Sequence, residues 1–168
     1  MKQLKSTLII ISLLLIQSTF ACECDSKGDF LKVANKTPFV ALVKVTKYLT
    51  FKDIYKEKMP MSMEVEVKAI YKGKETRKKI TVWGDNGILC RPYLSKFKIG
   101  NYYVIAFYNG EGGSRGFGSS EKTTDYCISV CGEYWLDANK KNKTAVSSTT
   151  EYQTHFNLKE LKSKLAIH

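Results

Sequence analysis

A chain of 168 residues, 43% hydrophobic and 26% charged, is long enough for one domain with a real core; it is neither a disordered polyelectrolyte nor a multidomain assembly. Its formal net charge of +11 is almost all lysine, because only Arg77, Arg91 and Arg115 are arginines. Lysine is a hydrated point charge poorly suited to bidentate phosphate recognition, so the excess reads first as a solubilising surface and second as an attraction for acidic glycans, envelope polymers or anionic membrane.

The chain opens as a secretory signal peptide over residues 1–21, with Lys2 and Lys5 ahead of the apolar run Leu8 to Ile16 and a polar-to-small exit ending at Ala21. The run is about half of the roughly 20 residues that a spanning helix needs. Cleavage after Ala21 leaves 147 residues, lowers the charge to +9 and makes Cys22 the first residue of the mature protein. Two chemistries share that position. Ordinary cleavage leaves a free α-amine on Cys22, whereas the lipoprotein route acylates it and anchors the chain to a membrane. Thr19 and bulky Phe20 fit the lipoprotein signal poorly, so the free amine and a secreted or periplasmic location are expected, with lipidation of Cys22 as the alternative.

A short helix is predicted over Lys27 to Asn35. Five strands follow, at 38–51, 62–73, 78–84, 101–109 and 125–136. The second alternates most cleanly, with Met63, Val65, Val67, Ala69 and Tyr71 on one face and Glu64, Glu66, Lys68 and Ile70 on the other. "GDNG" (84–87) and "KIGN" (98–101) signal turns, and residues 109–122 form a long Gly/Ser loop more suited to a mobile hairpin connection than to a ligand clamp. The polar run 139–150 marks the end of the barrel. Phe156, Leu158, Leu161 and Leu165 then fall at near-helical spacing, and Asn157 is a candidate cap for a C-terminal helix packed on the barrel. The fold class is therefore all-β with minor helices, a five-stranded Greek-key barrel of the oligonucleotide/oligosaccharide-binding (OB) type. The domain spans residues 22–138, and 139–168 is a linker and helix.

The five cysteines, Cys22, Cys24, Cys90, Cys127 and Cys131, suit an oxidising compartment, and their odd number leaves one free, lipidated or paired between chains. Their spacing matches no common structural zinc pattern, and His155 and His168 lie far along the tail. No Ser/His/Asp order, HExxH or phosphate-cradling Gly-rich loop followed by Lys-Ser/Thr is present, so neither enzymatic activity nor a cofactor is expected. In an exported chain the aromatics Tyr102, Tyr103, Phe107 and Tyr108 read as core and barrel surface, not as a nucleic-acid stacking platform.

Mature Cys22-Glu23-Cys24, Cys90 and Cys127, with "EVEVKAIYKG" and "ITVWGDNGILCRPYL" between them, resemble the netrin-like domain of the tissue inhibitors of metalloproteinases over residues 22–136. The resemblance implies bridges Cys22–Cys90 and Cys24–Cys127, each contributing about 3–5 kcal/mol by loop closure, with Trp135 near the end of the last strand. It further implies that the α-amine and carbonyl of Cys22 chelate the zinc of a metalloendopeptidase, displacing the water of an open catalytic site, while Glu23 points into the protease's specificity pocket. Three departures from the family pattern are evident. Glu23 is charged, Cys131 lacks its first-helix partner, and the disulfide-rich C-terminal domain is replaced by a short tail. These point to a distant, bacterial member and leave a second reading open, a non-inhibitory netrin-like module of the cell envelope. A lipidated Cys22 would instead allow Cys127–Cys131 and Cys24–Cys90.

Overall fold

Alternation at 62–73 builds one of the two longest walls of a closed barrel. The computed structural model describes residues 24–112, 117 and 120–165. Strands β1 (Phe39–Ile54) and β2 (Glu57–Lys72) pair antiparallel, with Val43 opposite Val67, and β3 (Lys79–Trp83) lies on β2 with Ile80 opposite Val65. Strand β4 (Tyr102–Asn109) covers the other edge of β1, with Ala106 opposite Val40. The short β5 (Tyr126–Cys127) runs parallel to β3 and antiparallel to β4, which joins the two edges into a five-stranded ring. Phe39, Val40, Ala41 and Val43 are buried in succession, as expected for a strand covered on both faces. With Met63, Val65, Val82, Ile105, Phe107 and Leu136 they form one core.

Both predicted helices form. Helix α1 (Phe30–Ala34) starts at Asp29, whose carboxylate accepts from Lys32 N at 3.1 Å, and it buries Phe30, Val33 and Ala34. Helix α2 (Leu158–Leu165) is capped by Asn157, whose side-chain oxygen accepts from Lys159 N at 2.9 Å, and it buries Leu161 and Leu165 in the core. Among the described residues no helix is long and apolar enough to cross a membrane.

Three features differ from the sequence reading. Strands β1 and β2 run on past the barrel to Ile54 and Glu57, closed by Tyr55 and Lys56 at φ of 52° and 67°. Both central residues of this tight hairpin turn are left-handed, a geometry usually given to Asn or Gly, so the sequence carried no turn signal there. The last predicted strand, 125–136, is broken. β5 ends at Cys127, and the chain returns to β4 only at β6 (Trp135–Asn139). Finally, the segment read as a linker is sheet: β7 (Thr144–Ser147) pairs with β6, and β8 (His155–Asn157), which carries Phe156, pairs with β7. Part of the Gly/Ser connection, residues 113–116 and 118–119, lies outside the described residues.

A clamp ties the β2–β3 turn to β5. Glu75 accepts from Arg77 Nη2 at 2.6 Å and from Tyr126 Oη at 2.9 Å, while Arg77 Nη2 also donates to Thr124 O. The Arg77 hydrogen bonds hold the Glu75 carboxyl down to about 2, from an ordinary value of 4.5. The clamp's contribution is thus fully present above the ordinary glutamate range and is lost as pH falls toward the folded-state value. Arg77 is 41% exposed, so solvent screens the pair. Glu75→Gln is expected to cost roughly 1–2 kcal/mol at neutral pH, and denaturant titrations should show that difference shrinking below pH 4.5 and closing near pH 2.

Candidate functional site

The break in the last strand creates the site. Residues 128–134 leave the sheet after Cys127 and form a rim beside which the N-terminal segment lies. Lys27 N donates to Cys131 O at 2.8 Å, and Glu133 N donates to Gly28 O at 3.0 Å, so the two segments pair by backbone hydrogen bonds. Their contact is close enough that a Cβ on Gly132 would lie 3.1 Å from Gly28 O, and Gly132 itself sits at φ of 137°. A disulfide between Cys24 and Cys131 closes the pair, with Cα atoms 5.7 Å apart.

Two polar anchors fix the entry to α1. Glu133, 5% exposed, accepts from Phe30 N at 3.0 Å and from Thr154 Oγ1, so a carboxylate sits at the positive end of the first helical turn. Ser26 Oγ and Tyr152 Oη lie 2.7 Å apart and hold the segment from its other side.

The third wall is the loop between β3 and β4. Asp85 caps it from within, accepting from Gly87 N at 3.0 Å and Leu89 N at 2.7 Å, and Gly84 is required because a Cβ there would lie 2.7 Å from Pro92 O. Cys90 on this loop is disulfide-bonded, and its carbonyl accepts from Val130 N at 3.2 Å. The next residue, Arg91, is driven inward to a buried ion pair with Glu121 at 3.0 Å; Glu111 lies 3.7 Å from its other amino group. Removing one partner of such a pair strands a buried charge, so the pair locks the loop that carries Cys90.

The expected Cys24–Cys127 bridge is corrected by this arrangement, as is the assignment of Cys131 as the odd thiol. Cys24 pairs with Cys131, and among the described residues Cys127 is the free cysteine, buried in β5. The alternative pairs Cys127–Cys131 and Cys24–Cys90 are excluded by the same bond. The physical reason is the strand break. Cys127 is held in β5 between Trp83 and Tyr108, with its thiol donating to Asn109 O at 3.4 Å, while Cys131 is carried out to the rim. Gly132 was the one sequence signal for the break. Burial pushes the Cys127 thiol up to about 11, against the opposing influence of the Arg91 charge. Cys22 and Glu23 lie outside the described residues. Trp135 opens β6 and packs its ring 5.3 Å from that of Phe97.

The sulfurs of Cys24, Cys90 and Cys131 lie within 4.8 Å of one another, the one group among the described residues with metal-ligand spacing. All three belong to disulfides and so offer no thiolate. Sequence reasoning missed Arg91, Glu121, Glu133 and Asp85, whose partners are distant in sequence or belong to the backbone.

No protein-family model and no curated protein matches this chain.

Two outcomes are expected at this site. Replacing Cys24 and Cys131 together by serine opens a loop of 107 residues' separation and should lower stability by about 3–5 kcal/mol in denaturant melts, with amide exchange at Lys27 and Glu133 losing protection. Iodoacetamide at about pH 8, below the raised Cys127 value, should leave the native protein unmodified and add one label once denaturant is present without reductant.

Proposed function

We propose that the chain is an exported, netrin-like inhibitor of zinc endopeptidases that acts through the mature N-terminus at Cys22. The observation that carries this reading is the pinning of the N-terminal segment: the Cys24–Cys131 disulfide and the Lys27–Cys131 and Glu133–Gly28 hydrogen bonds fasten it to a rigid rim. Two residues of extended chain reach at most about 7 Å, a short tether for an N-terminal wedge that begins two residues before Cys24.

Cysteine bookkeeping supports a bare Cys22. Cys24 and Cys131 are joined and Cys90 is disulfide-bonded, which is compatible with the proposed Cys22–Cys90 bridge. A lipidated Cys22 has no sulfur to give. The same arithmetic disfavours the anchored-module reading, which requires the diacylglyceryl thioether.

With a sulfur tether on the same residue, the α-amine and carbonyl of Cys22 form a rigid five-membered chelate. A catalytic zinc with three protein ligands has one position held by water, and the chelate replaces that water. A terminal amine with pKa near 8 releases its proton readily on coordination. Rigidity held in advance by the disulfides lowers the ordering cost of binding. Ile88, 84% exposed on the Cys90 loop, and Val130, 37% exposed on the rim next to Cys131, offer apolar surface for the protease to cover. Glu23 would follow the chelate into the protease's specificity pocket, so its charge selects a target with a cation there, because a carboxylate buried without a partner costs several kcal/mol.

Protein of residues 22–168 and the same protein with one alanine ahead of Cys22 separate the possibilities. The first is expected to inhibit at least one member of a panel of zinc endopeptidases, and the extended form to lose that inhibition about 100-fold or more, since the amine is displaced from the metal. Intact mass of the native product should match a bare Cys22 and rise by four hydrogens on reduction. Equal behaviour of the two forms across the panel, or a mass carrying acyl chains, overturns the proposal.

A further inference from the structure

Several lysines on the β1, β2 and β3 side of the barrel are neutralised locally. Glu64 lies 3.1 Å from Lys79 and 3.9 Å from Lys47, and Glu66 lies 2.6 Å from Lys68. At the other end of β4 the balance is different. A groove of about 550 Å³ runs between the turn before β4 and the β6–β7 turn, lined by Lys96, Lys98, Lys140 and Lys141 with Asp137 as its only carboxylate. All four lysines are exposed, and among the described residues none of them makes an ion pair. Four lysines facing one aspartate give this groove a local excess of positive charge.

The groove is built, not accidental. Lys44 on β1, Tyr102 on β4 and Ala138 on β6 stand side by side across three strands. The Tyr102 ring lies under two ammonium groups, with Lys44 Nζ 5.8 Å and Lys140 Nζ 5.7 Å from its centre. Cation–π attraction holds both charges over one wall of the groove. Neighbouring Asn101 and Asn139 add side-chain amides that donate hydrogen bonds to anionic or hydroxyl oxygens.

We propose that this groove binds a linear acidic polysaccharide through its sulfate or carboxylate groups. The chemistry favours a glycan over a nucleic acid. No arginine lines the groove to grip phosphate bidentately, Tyr103 is buried, and the Tyr102 ring faces ammonium groups, so no free aromatic plane is left for a base to stack on. Separate lysine point charges with amides between them suit anionic groups spaced along a hydroxyl-rich chain.

The test uses residues 22–168 on immobilised heparin, a sulfated glycan, and in titrations with polygalacturonate, a carboxylate glycan. K96Q/K98Q/K140Q/K141Q removes the groove's charges; K36Q/K52Q/K56Q/K58Q removes the same number elsewhere and is the control. The groove variant is expected to lose about tenfold or more in affinity at about 0.15 M salt, with a shallower salt dependence, while the control stays near wild type. Loss with heparin alone assigns the sulfate, and loss with both assigns either anion; each supports the groove. An equal loss in both variants means net charge alone, and a single-stranded oligonucleotide of matched charge bound as tightly as heparin means no preference for glycan. Either result overturns the proposal, as does failure of the wild type to bind either polymer.

Discussion

A strand edge that is left unpaired must find other partners, and that constraint organises one end of this protein. β4 presents a continuous edge from Tyr102 to Asn109, yet its neighbour is two separate pieces, β5 at Tyr108 and Asn109 and β6 at Tyr102 to Ile105. Between them Ala106 N donates to Tyr134 O at 2.9 Å, so the edge itself stays satisfied while residues 128–133 swing away. Their own polar groups then need bonds. Val130 N takes Cys90 O, Cys131 N takes Ser129 Oγ, and Glu133 N and Cys131 O take the N-terminal segment. The rim is stable because that segment lies on it, and the segment is ordered because the rim is there. The Cys24–Cys131 bond makes the dependence permanent in an oxidising compartment.

Buried charge does the complementary work on the opposite wall. Arg91 and Glu121 have side chains 6% and 0% exposed, and taking both from water is costly unless each meets the other in good geometry. Such a pair adds little net stability over an apolar pair of the same size. What it supplies is a single allowed position for the residue next to Cys90, because displacing Arg91 leaves Glu121 uncompensated. Cys127 sits in the same neighbourhood, with both Arg91 and Glu121 acting on its thiol, and it stays protonated because burial outweighs the favourable arginine field. A neutral thiol is a poor nucleophile, so a free cysteine persists close to disulfides without exchanging into them.

Legibility in the sequence followed the range of the interactions involved. The strand cores were readable from Met63, Val65 and Tyr71 because period-two alternation is local, and α2 was readable from Leu161, Leu165 and the Asn157 cap for the same reason. The Tyr55-Lys56 turn was not, since its left-handed residues are imposed by the long hairpin and not by their own propensity. Nor was β7, whose strand Thr144–Ser147 lies in a polar run and acquires its order from β6. The partner of Cys24 was not readable. The spacing of Cys127 and Cys131 is the same whether the chain between them is a strand or an excursion, and only the fold decides which of the two reaches Cys24. The basic groove was invisible for a related reason, because Lys44 on β1, Lys96 in the turn before β4 and Lys140 in the turn after β6 are distributed along the chain and meet only in the fold.

The two proposed surfaces are not independent. Lys96 lines the basic groove and also a smaller cleft, about 190 Å³, whose other walls include Val130, Gly132 and Glu133 of the rim and Trp135 at the start of β6. A polymer that fills the groove as far as Lys96 therefore reaches the wall against which the N-terminal segment is held. Trp135 connects the same places through the core, since its ring packs on Phe97, which in turn packs on Tyr103 beside the groove. If one partner changes the affinity of the other, thermodynamic reciprocity requires the effect to run equally in both directions. Under the proposed inhibitory function, a glycan bound in the groove would also hold the protein on the polymer and raise its local concentration toward any protease resident there, an effect that requires no new contact between the two partners. The lysines that the composition first presents as a solubilising coat are, at this end of the barrel, placed where such a polymer and the N-terminal wedge would meet.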